Sequence, residues 1–229
     1  MAALSPIHRS ALGESSRAAL ARLAAVAGIA DMYLAGSAAL ALYLDHRPVV
    51  DLDWMSAGNR LLPADRRDLL ERLLAGDPET RVETARDGYL HTRTGDGAAL
   101  KFFYYPYPLI DPEQELEEVS GTLWVASTLD LALMKLAAII SRGTKRDFVD
   151  FYLLSRVLPL ERILERSPDK FGHVRDFALQ ALKGLADDSL TSGEPMPRLT
   201  SELEWEQVRA VLQAEARAAA HTRLGIETP

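Results

Sequence analysis

Apolar positions recur with helical spacing over residues 14–28, where Ala18, Leu20, Leu23 and Ala24 share one side and Gly28 closes the segment. Residues 32–35 form a short apolar run that reads as a strand. Glycine and serine follow at 36 and 37, then a second apolar run that reads as a helix up to the break His46-Arg47-Pro48. The next piece, VVDLDWM over 49–55, reads as a strand whose polar and apolar residues alternate. Residues 63–75 read as a surface helix with Arg66, Arg67, Asp68, Glu71 and Arg72 on its outer face. Segments 80–85, 89–94 and 98–105, divided by Asp87-Gly88 and Gly95-Asp96-Gly97, read as an antiparallel meander that completes a mixed sheet. Beyond Pro112, the glutamates at 113, 115, 117 and 118 read as an acidic linker, and 123–126 as a last small strand.

From Ser127 the pattern turns helical. Ser127-Thr128-Leu129-Asp130 predicts a cap for a helix that ends at Gly143, Thr144 opens another, and further helices are predicted over 160–166, 173–186 and 201–220. The expected class is α/β (α+β): a mixed sheet with flanking helices over 1–126, then a helical lobe over 127–229 that completes an active-site cleft.

Composition narrows the chemistry. At 229 residues, 48% hydrophobic and 26% charged, the chain can bury one large core or two small ones. No run of 18 apolar residues occurs, and the start MAALSPIHRS lacks a charged segment followed by an apolar one, so the expectation is a cytoplasmic protein without a membrane span. The absence of cysteine excludes disulfides and thiolate metal sites, and His8, His46, His91, His173 and His221 are too scattered for a zinc site. Any metal must be held by oxygen. A net charge of -7 argues against broad coating of nucleic acid, while local basic patches can still grip one end of an RNA.

Asp51 and Asp53 stand at i and i+2 of a strand and so project from one face, with Leu52 pointing into apolar packing. Two adjacent carboxylates repel and raise each other's pKa unless a cation sits between them, which points to magnesium, with manganese as the alternative. Gly36 lets the backbone pass close to a ligand, Ser37 can donate to a phosphate oxygen, and the free amides of the following helix favour an anion. Lys135 is the sole charge among residues 131–140. A buried ammonium needs a partner, so Lys135 either snorkels to the surface or meets an anion, and beside an Asp-x-Asp site a phosphate or an aspartate is favoured. Arg142 lies seven residues on, about 10 Å along the same helix face, a separation suited to two groups along a triphosphate. Thr144 to Asp147 reads as a capping box, and Asp150 can pair with Arg146 one turn back.

Strand, Gly-Ser, helix and a strand bearing Asp-x-Asp is the pattern of the DNA polymerase beta-like nucleotidyltransferases. The chain resembles the AbiEii/AbiGii family of toxin-type nucleotidyltransferases within it. Ser37, His46, Arg47, Asp51 and Asp53 carry that resemblance, and so does the phrase RGTKRDFVDFYLL with Arg142, Lys145, Arg146, Asp147 and Asp150, preceded by Lys135. It extends over roughly 33–217.

The resemblance implies a nucleotidyltransferase fold that moves NMP from an NTP to an acceptor hydroxyl and releases pyrophosphate. It assigns metal binding to Asp51 and Asp53, nucleotide binding to Gly36, Ser37, Lys135 and Arg142, and catalytic roles to Asp51, Asp53, Lys135 and Asp147. It further implies an RNA acceptor, notably a tRNA end, a separately encoded antitoxin, and a place in toxin-antitoxin or abortive-infection defence. Many superfamily enzymes add a third carboxylate on the strand beside the Asp pair, but here that stretch, AALKFFYYPYPLI, has no acid. Glu83 is then either a general base or an exposed strand residue. Tyr104, Tyr105 and Tyr107 either stack a base or belong to the core, and Arg60, Arg66 and Arg67 are either solvated or line a channel. The rival functions are a small-molecule or protein nucleotidyltransferase and an NTP-binding module without catalysis.

Overall fold

The computed structural model describes residues 7–26, 29, 31–111, 114–118, 120–191 and 193–224. The chain divides into two compact units, Met1–Ser127 and Thr128–Pro229.

The first unit is built on a mixed sheet. Its strands are β1 (Tyr33–Ala35), β2 (Asp51–Ser56), β3 (Arg81–Arg86), β4 (Tyr89–Arg93), β5 (Ala99–Tyr104), β6 (Gln114–Glu118) and β7 (Gly121–Val125), in the order β3-β4-β5-β2-β1-β7-β6. β2 lies near the middle, antiparallel to β1 and parallel to β5. Its alternation follows the side-chain pattern: Leu52, Trp54 and Ser56 are buried, while Asp51, Asp53 and Met55 occupy a half-open face. Burying the Leu52 and Trp54 side chains contributes roughly 1.5–3 kcal/mol each, which fixes the register and with it the direction of both aspartates. A slip of one residue would send the carboxylates into the core.

Helices α1 (Glu14–Leu23), α2 (Gly36–Leu44) and α3 (Pro63–Gly76) accompany the sheet. Ala38 to Tyr43 of α2 are all buried, as expected of a helix that is apolar all round. α2 stops at Asp45, whose left-handed φ of 46° suits a short polar residue at a helix end.

The acidic segment after Pro112 is a strand and not a linker: β6 pairs antiparallel with β7, with Leu116 inward against Leu123. β6 is an edge strand, and its outward Glu115 and Glu117 discourage pairing with other chains. β7 accordingly begins at Gly121, earlier than the apolar pattern suggested. Val49 falls outside β2 and makes an isolated bridge to Leu12. The expected end of the first helix at Gly28, and Glu113 of the acidic run, lie outside the described residues.

The second unit is helical: α4 (Thr128–Ser141), α5 (Lys145–Ser155), α6 (Leu160–Phe171), α7 (Phe177–Ala186) and α8 (Trp205–Leu224). α4 packs against α5, α6 and α7. Asp130 of α4 and Lys170 of α6 form a fully buried ion pair at 2.8 Å. α6 runs past Pro168 to Phe171, longer than the pattern suggested. Among the described residues, no helix is long and apolar enough to cross a membrane.

Candidate functional site

The site in the first unit starts at the junction of β1 and α2. Gly36 has a φ of +60°, and a Cβ built there would lie 2.6 Å from Asp53 Oδ2. Only glycine meets both demands, the left-handed backbone and the close approach of a carboxylate. Ala35 is the cross-strand neighbour of Asp53, so the first turn of α2 is placed beside that aspartate. The opening amides of α2 have no partner within the helix and carry the positive end of its dipole. Ser37 Oγ accepts a hydrogen bond from Arg47, which is itself buried. That bond leaves the serine hydroxyl proton to be donated elsewhere.

Asp51 and Asp53 share the half-open face of β2, and Asp51 is 43% exposed. Across the parallel β2/β5 pair, Asp53 stands opposite Lys101. Lys101 Nζ donates to Asp51 Oδ2 at 2.5 Å. Burial opposes the lysine charge, but the hydrogen bond to Asp51 and the fields of Asp51 and Asp53 hold its pKa above the ordinary lysine value. The strand that lacks a third acid therefore carries an ammonium at that seat.

Two half-buried carboxylates on one strand suit magnesium, which binds through one or two carboxylates and completes its shell with phosphate oxygens and water. Among the described residues no cluster of three or more His, Asp or Glu side chains could hold a metal by itself. The donor set fits an ion that shares its ligands with a bound triphosphate.

Other expected contributors in this unit take different places. Glu83 is bonded by Arg93 and lies 3.6 Å from His91 Nδ1. The Arg93 hydrogen bond is the main reason its pKa falls below the usual glutamate value, which suits an ion-pair partner better than a base. The Tyr105 and Tyr107 rings meet at 4.8 Å, tilted by 51°, and Arg60 lies over the Tyr104 ring at 5.9 Å. Arg66 is engaged by the Leu61 carbonyl and by Asp87, whereas Arg60 lines a cavity of about 690 Å³ with Tyr33, Ser56 and Asn59. That cavity opens at the Ser56 end of β2 and includes neither aspartate of the pair.

The expected residues of the second unit meet at the corner between α4 and α5. Gly143, with φ of +55°, turns the chain there. Lys135 does not snorkel: it is buried, 3.2 Å from Asp147 Oδ1 and 2.7 Å from Asp150 Oδ2. Arg142 donates to Asp147 from Nε at 2.7 Å and Nη2 at 2.8 Å, and the Thr144 hydroxyl donates at 2.6 Å. Burial alone would raise the Asp147 pKa, but Arg142, Lys135 and Thr144 together bring it down to about 2. Asp147 is thus a fixed anion that holds two cations in place.

Lys135 and Arg142 converge on one carboxylate, that of Asp147. Thr144 does not cap a backbone amide; its hydroxyl goes to the Asp147 side chain. Asp150 pairs with Lys135, although the helical spacing suggested Arg146, because Asp147 and Asp150 both lie on the inward face of α5. Lys101 is the member that sequence reasoning missed. The signal for Lys101 was its place within ALKFF, which puts it on the same sheet face as the aspartates once β2 and β5 pair.

Known proteins resemble this chain in sequence and in fold. The profile described as nucleotidyl transferase AbiEii toxin, type IV TA system, matches residues 18–223. An uncharacterised protein of Aquifex aeolicus (strain VF5) is 30% identical over 148 residues, spanning 63% of this chain and 68% of that protein. Among solved structures, MenT4, a nucleotidyltransferase toxin of Mycobacterium tuberculosis H37Rv, superposes with a TM-score of 0.50 at 15% identity, over 92% of each chain. An antigenic nucleotidyltransferase-like protein of Paracoccidioides brasiliensis gives a TM-score of 0.47 at 16% identity, over 82% of this chain and 84% of that one.

Proposed function

The chain belongs to the AbiEii family of nucleotidyl transferase toxins of type IV toxin-antitoxin systems, and on that premise we propose that it transfers NMP from an NTP to an RNA hydroxyl, at a site centred on Asp51 and Asp53 and supported by a divalent ion. The observation that carries this reading is the close packing of Gly36, at the start of α2, against the Asp53 carboxylate. An anion-binding helix terminus and an acidic metal seat are thereby joined in one corner of the sheet.

In the proposed reaction the acceptor hydroxyl gives its proton to solvent, its oxygen bonds to the α-phosphorus as the bond from that phosphorus to the oxygen shared with the β-phosphate breaks, and pyrophosphate leaves in line. Magnesium or manganese, when bound by Asp51 and Asp53, would neutralise phosphate charge and lower the pKa of the acceptor hydroxyl. Ser37 donates its hydroxyl proton to a phosphate oxygen, and Arg47 fixes the rotamer of Ser37. Gly36 and the opening amides of α2 receive the triphosphate. In the second unit, Asp147 positions Lys135 and Arg142, the two cations that the family resemblance assigns to nucleotide binding. Most of the acceleration would come from alignment and charge neutralisation. A tRNA end as the acceptor and an antitoxin as the partner complete the proposal.

Pyrophosphate release from each NTP, measured with and without total tRNA and with and without magnesium, tests the reading. The expected result is release with one or a few NTPs that needs both metal and RNA. Absence of release under every condition, despite NTP binding, would favour a binding module without catalysis.

A further inference from the structure

The strand beside the Asp pair offers one seat from which a third group can face the same ligand, and Lys101 fills it. Asp53, Lys101 and His91 are successive cross-strand neighbours on β2, β5 and β4, so their side chains share one face of the sheet. The Lys101 ammonium reaches back along the face to Asp51 Oδ2 at 2.5 Å, and both side chains remain partly open, at 25% and 43%. The nearby acid on that side of the sheet, Glu83, is already held by Arg93.

Enzymes that use two ions place them about 3.5–4 Å apart and need carboxylates enough to hold both. Here a second dication beside Asp51 would meet an ammonium and find no third carboxylate among the described residues. Like charges at such separations repel strongly even at an effective dielectric constant of about 20.

We infer that Lys101 is the built-in second positive centre of this site, so that a single divalent ion, shared by Asp51, Asp53 and the triphosphate, completes it. The inference rests on the nucleotide-binding reading given above. Without nucleotide, Lys101 neutralises Asp51 and weakens metal binding; with nucleotide, phosphate oxygens supply the missing ligands. The ion and the NTP then bind as a unit.

Equilibrium dialysis of the full chain with Mn2+ and an α,β-methylene NTP, which cannot be cut at the reacting bond, measures the ion count directly. Wild type should retain one Mn2+ per nucleotide. Without nucleotide, Lys101→Met, which keeps most of the stem and loses the charge, should bind Mn2+ at least about tenfold more tightly than wild type. Lys101→Asp, which puts a third carboxylate in the seat, should retain two ions per nucleotide. Two ions per nucleotide on wild type, an unchanged Mn2+ affinity in Lys101→Met, or one ion in a folded Lys101→Asp would each overturn the inference. An Asp51→Ala, Asp53→Ala chain that keeps nucleotide and Mn2+ at wild-type affinity would remove the Asp-pair reading and this inference with it. That failure differs from an ion count of two on wild type, which leaves the Asp pair standing.

Discussion

Replacing Lys135 with methionine isolates the role of the charge cluster between α4 and α5. The change keeps an unbranched chain of similar length and removes the ammonium that lies 3.2 Å from Asp147 and 2.7 Å from Asp150, both fully buried. Asp147 keeps Arg142 and Thr144, so the larger loss falls on Asp150. Breaking a buried pair by removing one partner costs about 3–5 kcal/mol. The loss has a ceiling, because a carboxylate deprived of the Lys135 ammonium can take up a proton: at pH 7, about three units above an ordinary aspartate pKa, that costs about 4 kcal/mol. The expected destabilisation at pH 7 is therefore about 3–4 kcal/mol. At pH 5 the same protonation costs only about 1.5 kcal/mol, so the deficit should shrink by about half. Urea unfolding followed by far-ultraviolet circular dichroism, for wild type and Lys135→Met at both pH values, measures this. Adding Asp150→Asn should recover most of the loss. A deficit below about 1 kcal/mol, or one that does not change with pH, would refute the account of Lys135 as the counter-ion of two buried carboxylates.

Four further outcomes are expected. Asp147 is held at about 2, below the ordinary aspartate value of 3.8, so its stabilisation is present above about pH 4 and is lost as pH falls toward 2. Asp147→Asn should remove about 2 kcal/mol at pH 7 and flatten the acid limb of the stability curve, as read by denaturant midpoints between pH 2 and 5. Gly36→Ala places a methyl group against Asp53 in a backbone that resists it, so it should lower stability by about 1–2 kcal/mol and nucleotide transfer by more than about tenfold. Gly58→Ala, with open space around it, should change neither the melting temperature nor the rate. Lys170→Met should cost about 3–5 kcal/mol by leaving Asp130 buried without its ammonium, and urea titration of that variant measures the loss.

The half of the site that follows from strand period was legible in the sequence. Asp51 and Asp53 share a face because Leu52 and Trp54 must be buried, and no tertiary knowledge is needed to see it. Gly36 was legible as a close-approach residue, but not that the approaching group is Asp53 itself. Lys101 escaped because its meaning depends on which strand pairs with β2, and its bond to Asp51 across the parallel β2/β5 pair joins residues 50 positions apart. The glutamates of β6 disguised a strand as a linker, since glutamate is depleted in strands and only Leu116 marked the inward side. Asp150 was misread for a related reason: the rule for pairs along one helix favours Arg146, whereas packing against α4 brings Lys135 to it.

The central claim, nucleotidyl transfer to RNA at the Asp51 and Asp53 site, is tested most directly by following the label. The full chain is incubated with magnesium, total bacterial tRNA and each NTP labelled either at the α- or at the γ-phosphate, beside the Asp51→Ala, Asp53→Ala double variant. The account predicts that α-label enters RNA with the wild type alone, and that γ-label never does. Label found only in protein or in small molecules, or equal incorporation by the double variant, would contradict it.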